Sequence, residues 1–135
     1  MTYWLLKTEP DEFSWDQLCA AGAHGEIWNG IRNHQAAGYL RQMRAGDQVF
    51  IYHTGKEKRI VGIGEVLGES FPDVEDPSGR VVAVSVRAVE ALSRPVTLTA
   101  IKSAPTLADF VLLRQGRLSV MPVTPQQWHE VLCLR

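Results

Sequence analysis

The sequence predicts an α+β fold: a small, curved, mostly antiparallel β-sheet curled into a barrel, with several short helices packed around it. Three observations carry this. The strand-like segments come in several short pieces bounded by turn residues. Glycines 62 and 64 interrupt one of them, as a bulge or barrel corner requires. The helix signals are short and fall between strands without the regular βαβα alternation of a doubly wound sheet.

In order, Tyr3–Lys7 reads as an opening strand, ended by Lys7-Thr8-Glu9-Pro10 because Pro10 holds Glu9 extended. Ser14 with Gln17 three residues on forms a capping box for a short helix, and Gly22 ends it. Asn33 is a good N-cap for a helix over His34–Arg44. Gln48–Gly55 and Ile60–Leu67 read as strands around a Lys56–Arg59 turn. Phe71–Gly79 is an acidic loop, and Arg80–Leu92 alternates as a long strand. Thr97 caps a helix to Ser103, and Thr106 a further turn or two through Leu113. Leu118–Val123 is a strand whose Pro122 belongs at a sheet edge. Thr124-Pro125-Gln126-Gln127 opens a last helix that buries Trp128, Val131 and Leu132.

These elements fit a single domain over residues 1–135, with the composition of an ordinary globular protein: 45% hydrophobic and 21% charged. No apolar run approaches the ~20 residues of a membrane span. The first residues lack the pattern of a signal peptide. Two cysteines, Cys19 and Cys133, make no disulfide framework, and the expected location is cytoplasmic. The four histidines are scattered, no Cys/His spacing matches a zinc site, and there is no phosphate-binding glycine loop. No metal, cofactor or catalytic residue is expected.

The stretch Ile27-Trp28-Asn29-Gly30-Ile31-Arg32-Asn33-His34-Gln35 stands out. Gly30 and the two asparagines favour turns, so Trp28 is expected on a loop. A large ring followed by a planar cation and amide groups suits gripping something flat and polar, such as a nucleobase. The structural alternative is that Trp28 fills the core and Asn33 only caps its helix. The net charge of −1 argues against binding nucleic acid mainly by phosphate neutralisation. Arg32, Arg41, Arg44, Lys56, Lys58 and Arg59 nevertheless precede the acidic run Glu65, Glu69, Asp73, Glu75, Asp76, a pattern that reads either as one basic face or, the simpler reading, as scattered solvated charges. His53, at a strand end, reads either as a hydrogen-bonding group of a site or as a satisfied structural histidine.

Lys7-Thr8-Glu9-Pro10, Trp28-Asn29-Gly30-Ile31-Arg32-Asn33, Tyr52-His53-Thr54 and Leu113-Arg114-Gln115-Gly116-Arg117-Leu118-Ser119-Val120, in this order, resemble the EVE domain from Tyr3 to Trp128. The resemblance implies a PUA-like barrel, related to YTH domains, that reads a modified nucleobase in DNA or RNA without catalysis. It implies that a flipped base enters a pocket made from Trp28, Asn29, Asn33, Thr8, Tyr52, His53 and Ser119. It further implies that Lys7, Arg32, Arg114 and Arg117 hold flanking phosphates. The chain departs from the family pattern in two places: Asn29 stands where an aspartate is expected, and no aromatic occurs around Gly79-Arg80-Val81.

Two alternatives remain at this stage. ASCH-type PUA-like domains include hydrolases of modified nucleosides that use Lys, Thr and Glu. Lys7, Thr8 and Glu9 supply those types, but an extended chain points Thr8 away from its neighbours. The second alternative is a protein-interaction module that uses the basic face.

Overall fold

The computed structural model describes residues 2–135; Met1 lies outside the described residues. Among them are seven strands and five short α-helices. The strands are β1 (Tyr3–Thr8), β2 (Glu26–Trp28), β3 (Gln48–His53), β4 (Arg59–Val66), β5 (Phe71–Pro72), β6 (Val82–Thr97) and β7 (Val120–Val123). The helices are α1 (Trp15–Ala20), α2 (His34–Gln42), α3 (Leu98–Lys102), α4 (Val111–Arg114) and α5 (Pro125–Leu134).

The strands form one sheet in the order β2-β6-β4-β3-β1-β7, with β5 paired to β6. All pairs are antiparallel except β1–β3, which runs parallel from Tyr3↔Gln48 to Thr8↔His53. The sheet ends at β2 and β7, so the curled surface is a half-barrel with two edges rather than a closed barrel. β7 is an edge strand, as Pro122 requires.

Two irregularities bend the sheet. Register shifts occur on β4 between Ile60 and Gly62 and between Ile63 and Gly64. At the first, Ile60 pairs with Val96 while Gly62 pairs with Ala91. The extra residues on β6 accommodate Pro95 without asking it for a ladder N–H. This is why β6 continues to Thr97, five residues beyond the end expected at Leu92. Gly62 is also where α1 docks: a Cβ there would lie 2.4 Å from the Trp15 indole, so only glycine lets that ring onto the sheet.

The helix starts follow their local signals. Ser14 and Gln17 exchange both capping-box bonds, as do Thr124 and Gln127, while Asn33 and Thr97 cap α2 and α3. Thr106 differs: it lies in a 3₁₀ turn over Pro105–Leu107, and its hydroxyl donates to Glu130 at 3.2 Å. The core runs through the sheet under α5, where Trp128 stacks on Phe50 with ring centroids 3.7 Å apart. No helix is long and apolar enough to cross a membrane, among the described residues.

Candidate nucleic-acid interface

Trp28 ends the edge strand β2; it is not on a loop as its neighbours suggested. The strand forms because Gly25 precedes it. Gly25 has φ +66°, and a Cβ there would sit 2.3 Å from the Val86 carbonyl oxygen, so glycine alone lets the chain press onto β6. Glu26, Ile27 and Trp28 then pair with Val86, Ser85 and Val84. The turn propensity read from Asn29-Gly30 acts one residue later, with Gly30 at φ +74°. Its N–H donates to the buried carboxylate of Asp73 at 3.0 Å, which ties this turn to the acidic loop.

Trp28 is 7% exposed and belongs to the core, yet one part of it faces a cleft of about 660 Å³. That volume lies within the usual range for small-ligand sites. Phe13 meets the Trp28 ring edge-on, with centroids 5.6 Å apart and planes at 87°. Ile27 and Ile31 extend the apolar wall, and Ile27 is half-exposed at the lip. Lys7, Thr8, Glu9, Glu12, Gln17, Glu26 and Asn29 supply the polar lining. Three carboxylates thus face one ammonium.

Lys7, Thr8 and Glu9 all border this cleft, contrary to the alternation expected of an extended segment. The strand stops at Thr8, and Glu9 opens a turn whose carbonyl accepts from Glu12 and Phe13 N–H. Each of the three side chains already has a separate protein partner. Lys7 Nζ donates to the Gly116 carbonyl at 2.6 Å, the Thr8 hydroxyl to the Phe13 carbonyl at 2.6 Å, and the Thr54 hydroxyl donates to Glu9 at 3.1 Å. Partial burial lowers the Lys7 pKa from its usual value.

Other residues expected in the pocket lie elsewhere. His53 is buried, its Nε2 accepts the Trp15 N–H at 3.0 Å, and its Nδ1 lies 2.9 Å from a Glu57 carboxylate oxygen. These partners assign the proton to Nδ1 and make His53 a structural cap for the first turn of α1. Both of its ring nitrogens are thus engaged within the protein. Tyr52 is also buried, outside the cleft lining, with the Lys7 ammonium 5.6 Å from its ring centroid; burial pushes its phenol pKa up. Ser119 is outside the cleft lining too, and its carbonyl accepts the Lys7 N–H at 2.9 Å.

Asn33 caps α2 and borders a second, smaller hollow of about 320 Å³, with Gln35, Gln115, Gly116, Arg117 and Leu118. Arg114 lies 3.9 Å from Asp109 on the surface and borders neither hollow. Arg32 and Arg117 are exposed and form no ion pair among the described residues. Three cations of the basic stretch are engaged within the protein. Arg44 pairs with Glu69 at 3.6 Å, Arg59 with Glu57 at 3.1 Å, and Arg41 donates to the Arg80 carbonyl at 2.7 Å.

Sequence reasoning missed Phe13, Gln17, Glu12, Glu26, Ile27 and Ile31 as cleft residues, and Asp73 as the holder of the turn. Phe13 and Gln17 carried strong local signals for starting α1, which concealed a second role. Ile27 alone had a usable signal: an apolar side chain beside Trp28 in a segment read as exposed.

Comparison with known proteins agrees with this architecture. The EVE domain family model matches residues 2–134. Human thymocyte nuclear protein 1 is 30% identical over 165 residues, an alignment covering 98% of this chain and 73% of that protein. A structure of that human protein in complex with DNA containing 5-methylcytosine superposes with TM-score 0.92 at 30% identity, covering 99% of this chain and 97% of that one. A Rhodopseudomonas palustris protein superposes with TM-score 0.95 at 48% identity, covering 99% and 92%. An ASCH protein from Zymomonas mobilis shares the fold, with TM-score 0.65 at 12% identity and 99% coverage of both chains. On the family model and these relatives, the chain belongs to the EVE domain family.

Proposed function

We propose that this protein binds DNA carrying a modified base, with 5-methylcytosine the leading case, and takes that base into the cleft beside Trp28 without altering it. The observation that carries this is the lining of the cleft. The Phe13–Trp28 edge-to-face pair with Ile27 and Ile31 offers an apolar wall to a flat methylated ring, while Glu9, Glu12, Glu26 and Asn29 surround it with acceptors. The human relative's complex with DNA containing 5-methylcytosine supports methylated DNA as the ligand class.

The energetics explain why acceptors are needed. Extruding a base costs a few kcal/mol, and stacking on an aromatic returns about 1–3 kcal/mol. A buried methyl adds about 0.8 kcal/mol, only a few-fold in affinity. Thymine carries the same methyl, so the methyl cannot separate it from 5-methylcytosine. The amine at position 4 can, because a carboxylate accepts from it and repels the oxygen thymine has there. Asn29 adds a donor as well as an acceptor, where a carboxylate would only accept.

Titration of oligonucleotides differing at one position tests this. The expected order of affinity is 5-methylcytosine, then cytosine, then thymine. Thymine bound as tightly as 5-methylcytosine would overturn the reading. Mass analysis of the recovered oligonucleotide addresses the second reading, a hydrolase, which is favoured only by Lys7, Thr8 and Glu9 bordering one cleft. The separate protein partners of those three side chains oppose it. The recovered strand is expected unchanged.

A further inference from the structure

We propose that the smaller hollow bordered by Asn33, Gln35, Gln115 and Arg117 is a phosphodiester subsite, which receives the backbone next to the base held at Trp28. The inference rests on the reading of the larger cleft as a base site and adds where the strand goes from there.

Two features place the hollows side by side. Lys7 lines the larger cleft, Gly116 lines the smaller hollow, and the Lys7 ammonium donates to the Gly116 carbonyl at 2.6 Å. The segment from Trp28 to Asn33 borders both: Trp28, Asn29 and Ile31 face the cleft, and Asn33 faces the smaller hollow. A strand whose base enters the cleft therefore has the hollow within reach of its backbone.

Charge decides which part of the strand each hollow takes. The larger cleft has Glu9, Glu12 and Glu26 against Lys7. That surplus of carboxylates suits a base with an exocyclic amine and repels a phosphate. The smaller hollow has no carboxylate in its lining; it offers the Arg117 guanidinium and three carboxamides. Guanidinium and amide N–H groups are the usual donors to phosphate oxygens. Arg117 forms no ion pair among the described residues, so its charge is not already neutralised by the protein. Lys7 and Arg114 are weaker candidates, since Lys7 is held by Gly116 and Tyr52, and Arg114 lies by Asp109.

The test titrates wild type, Arg117→Ala and Lys102→Ala with a short oligonucleotide holding one 5-methylcytosine, across a range of salt, and with 5-methyl-2′-deoxycytidine, which has no phosphate. Lys102 is exposed on α3, lines neither hollow, and controls for net charge. Arg117→Ala is expected to weaken oligonucleotide binding several-fold and to lower the salt slope by about 1. Affinity for the nucleoside is expected unchanged, and Lys102→Ala is expected to match wild type. A single uncharged methylphosphonate next to the methylated base should weaken wild type and cause no further loss in Arg117→Ala. Equal losses for nucleoside and oligonucleotide, an unchanged salt slope, or a methylphosphonate loss that persists in the variant would each overturn the subsite. A wild type that binds no oligonucleotide removes the base-site reading as well. A wild type that binds while Arg117→Ala matches it removes only the subsite.

Discussion

The carboxylate of Asp73 accepts the N–H of Gly30 at 3.0 Å, joining two turns that lie 43 residues apart. Its other oxygen accepts the Glu75 N–H at 3.0 Å, so one buried side chain holds both the acidic loop and the turn after Trp28.

Removing that carboxylate should loosen the cleft. Asp73→Ala leaves two N–H groups without their acceptor and is expected to cost about 1–3 kcal/mol of stability. It should also weaken binding of a methylated oligonucleotide, because the Asn29-Gly30 turn is no longer fixed. Asp73→Asn, which keeps an acceptor oxygen, should recover part of both. Chemical denaturation and titration of the same samples check this; an Asp73→Ala protein with wild-type affinity would detach Asp73 from the site.

Trp28 belongs to the cleft wall and to the core at once, which changes what its truncation does. Trp28→Ala is expected to lose about 3–5 kcal/mol of stability as well as affinity. Trp28→Phe keeps a ring against Phe13 and should hold the fold better while still reducing binding. Melting curves beside titrations separate the effects. If Trp28→Phe loses no affinity, the indole face is not part of the binding surface.

His53 should matter for stability and not for binding. His53→Ala leaves the Trp15 N–H without its acceptor, with an expected cost of about 1–3 kcal/mol. Affinity for methylated oligonucleotide, measured well below the melting transition, should stay at the wild-type level. A selective loss of affinity would return His53 to the site.

Glu57 should show the matching pH dependence. Its hydrogen bond from His53 is the first cause holding its carboxyl below the usual value of 4.5, and the Arg59 guanidinium also contributes. A carboxylate depressed in the folded state contributes stability fully above the unfolded value and loses it as pH falls through the folded one. Glu57→Gln is therefore expected to destabilise the protein near pH 7, with the difference from wild type shrinking below about pH 4. Paired denaturation curves across this range measure it; a difference that stays constant with pH would mean that Glu57 acts by packing alone.

Much of this protein is determined by short-range features of its sequence. The capping box of Ser14 and Gln17, that of Thr124 and Gln127, and the Asn33 cap each join residues three apart, so the residues themselves carry the bond. The edge position of Pro122 follows from its missing N–H. The motifs that identify the EVE family are equally local. Only tertiary structure decided the rest. Trp28 became a strand residue because Gly25 lets β2 touch β6, more than fifty residues later in the chain. Glu12 and Glu26 face one cleft only because the turn before α1 and the strand β2 both border it. Asn33 and Arg117 were expected with different parts of the ligand, yet they share a hollow because α2 packs against β7. The sequence left His53 between two readings, and only the arrival of α1 supplied the Trp15 N–H that its ring accepts. In each case the deciding contact joins residues far apart in the chain, and no local propensity records which distant group will arrive.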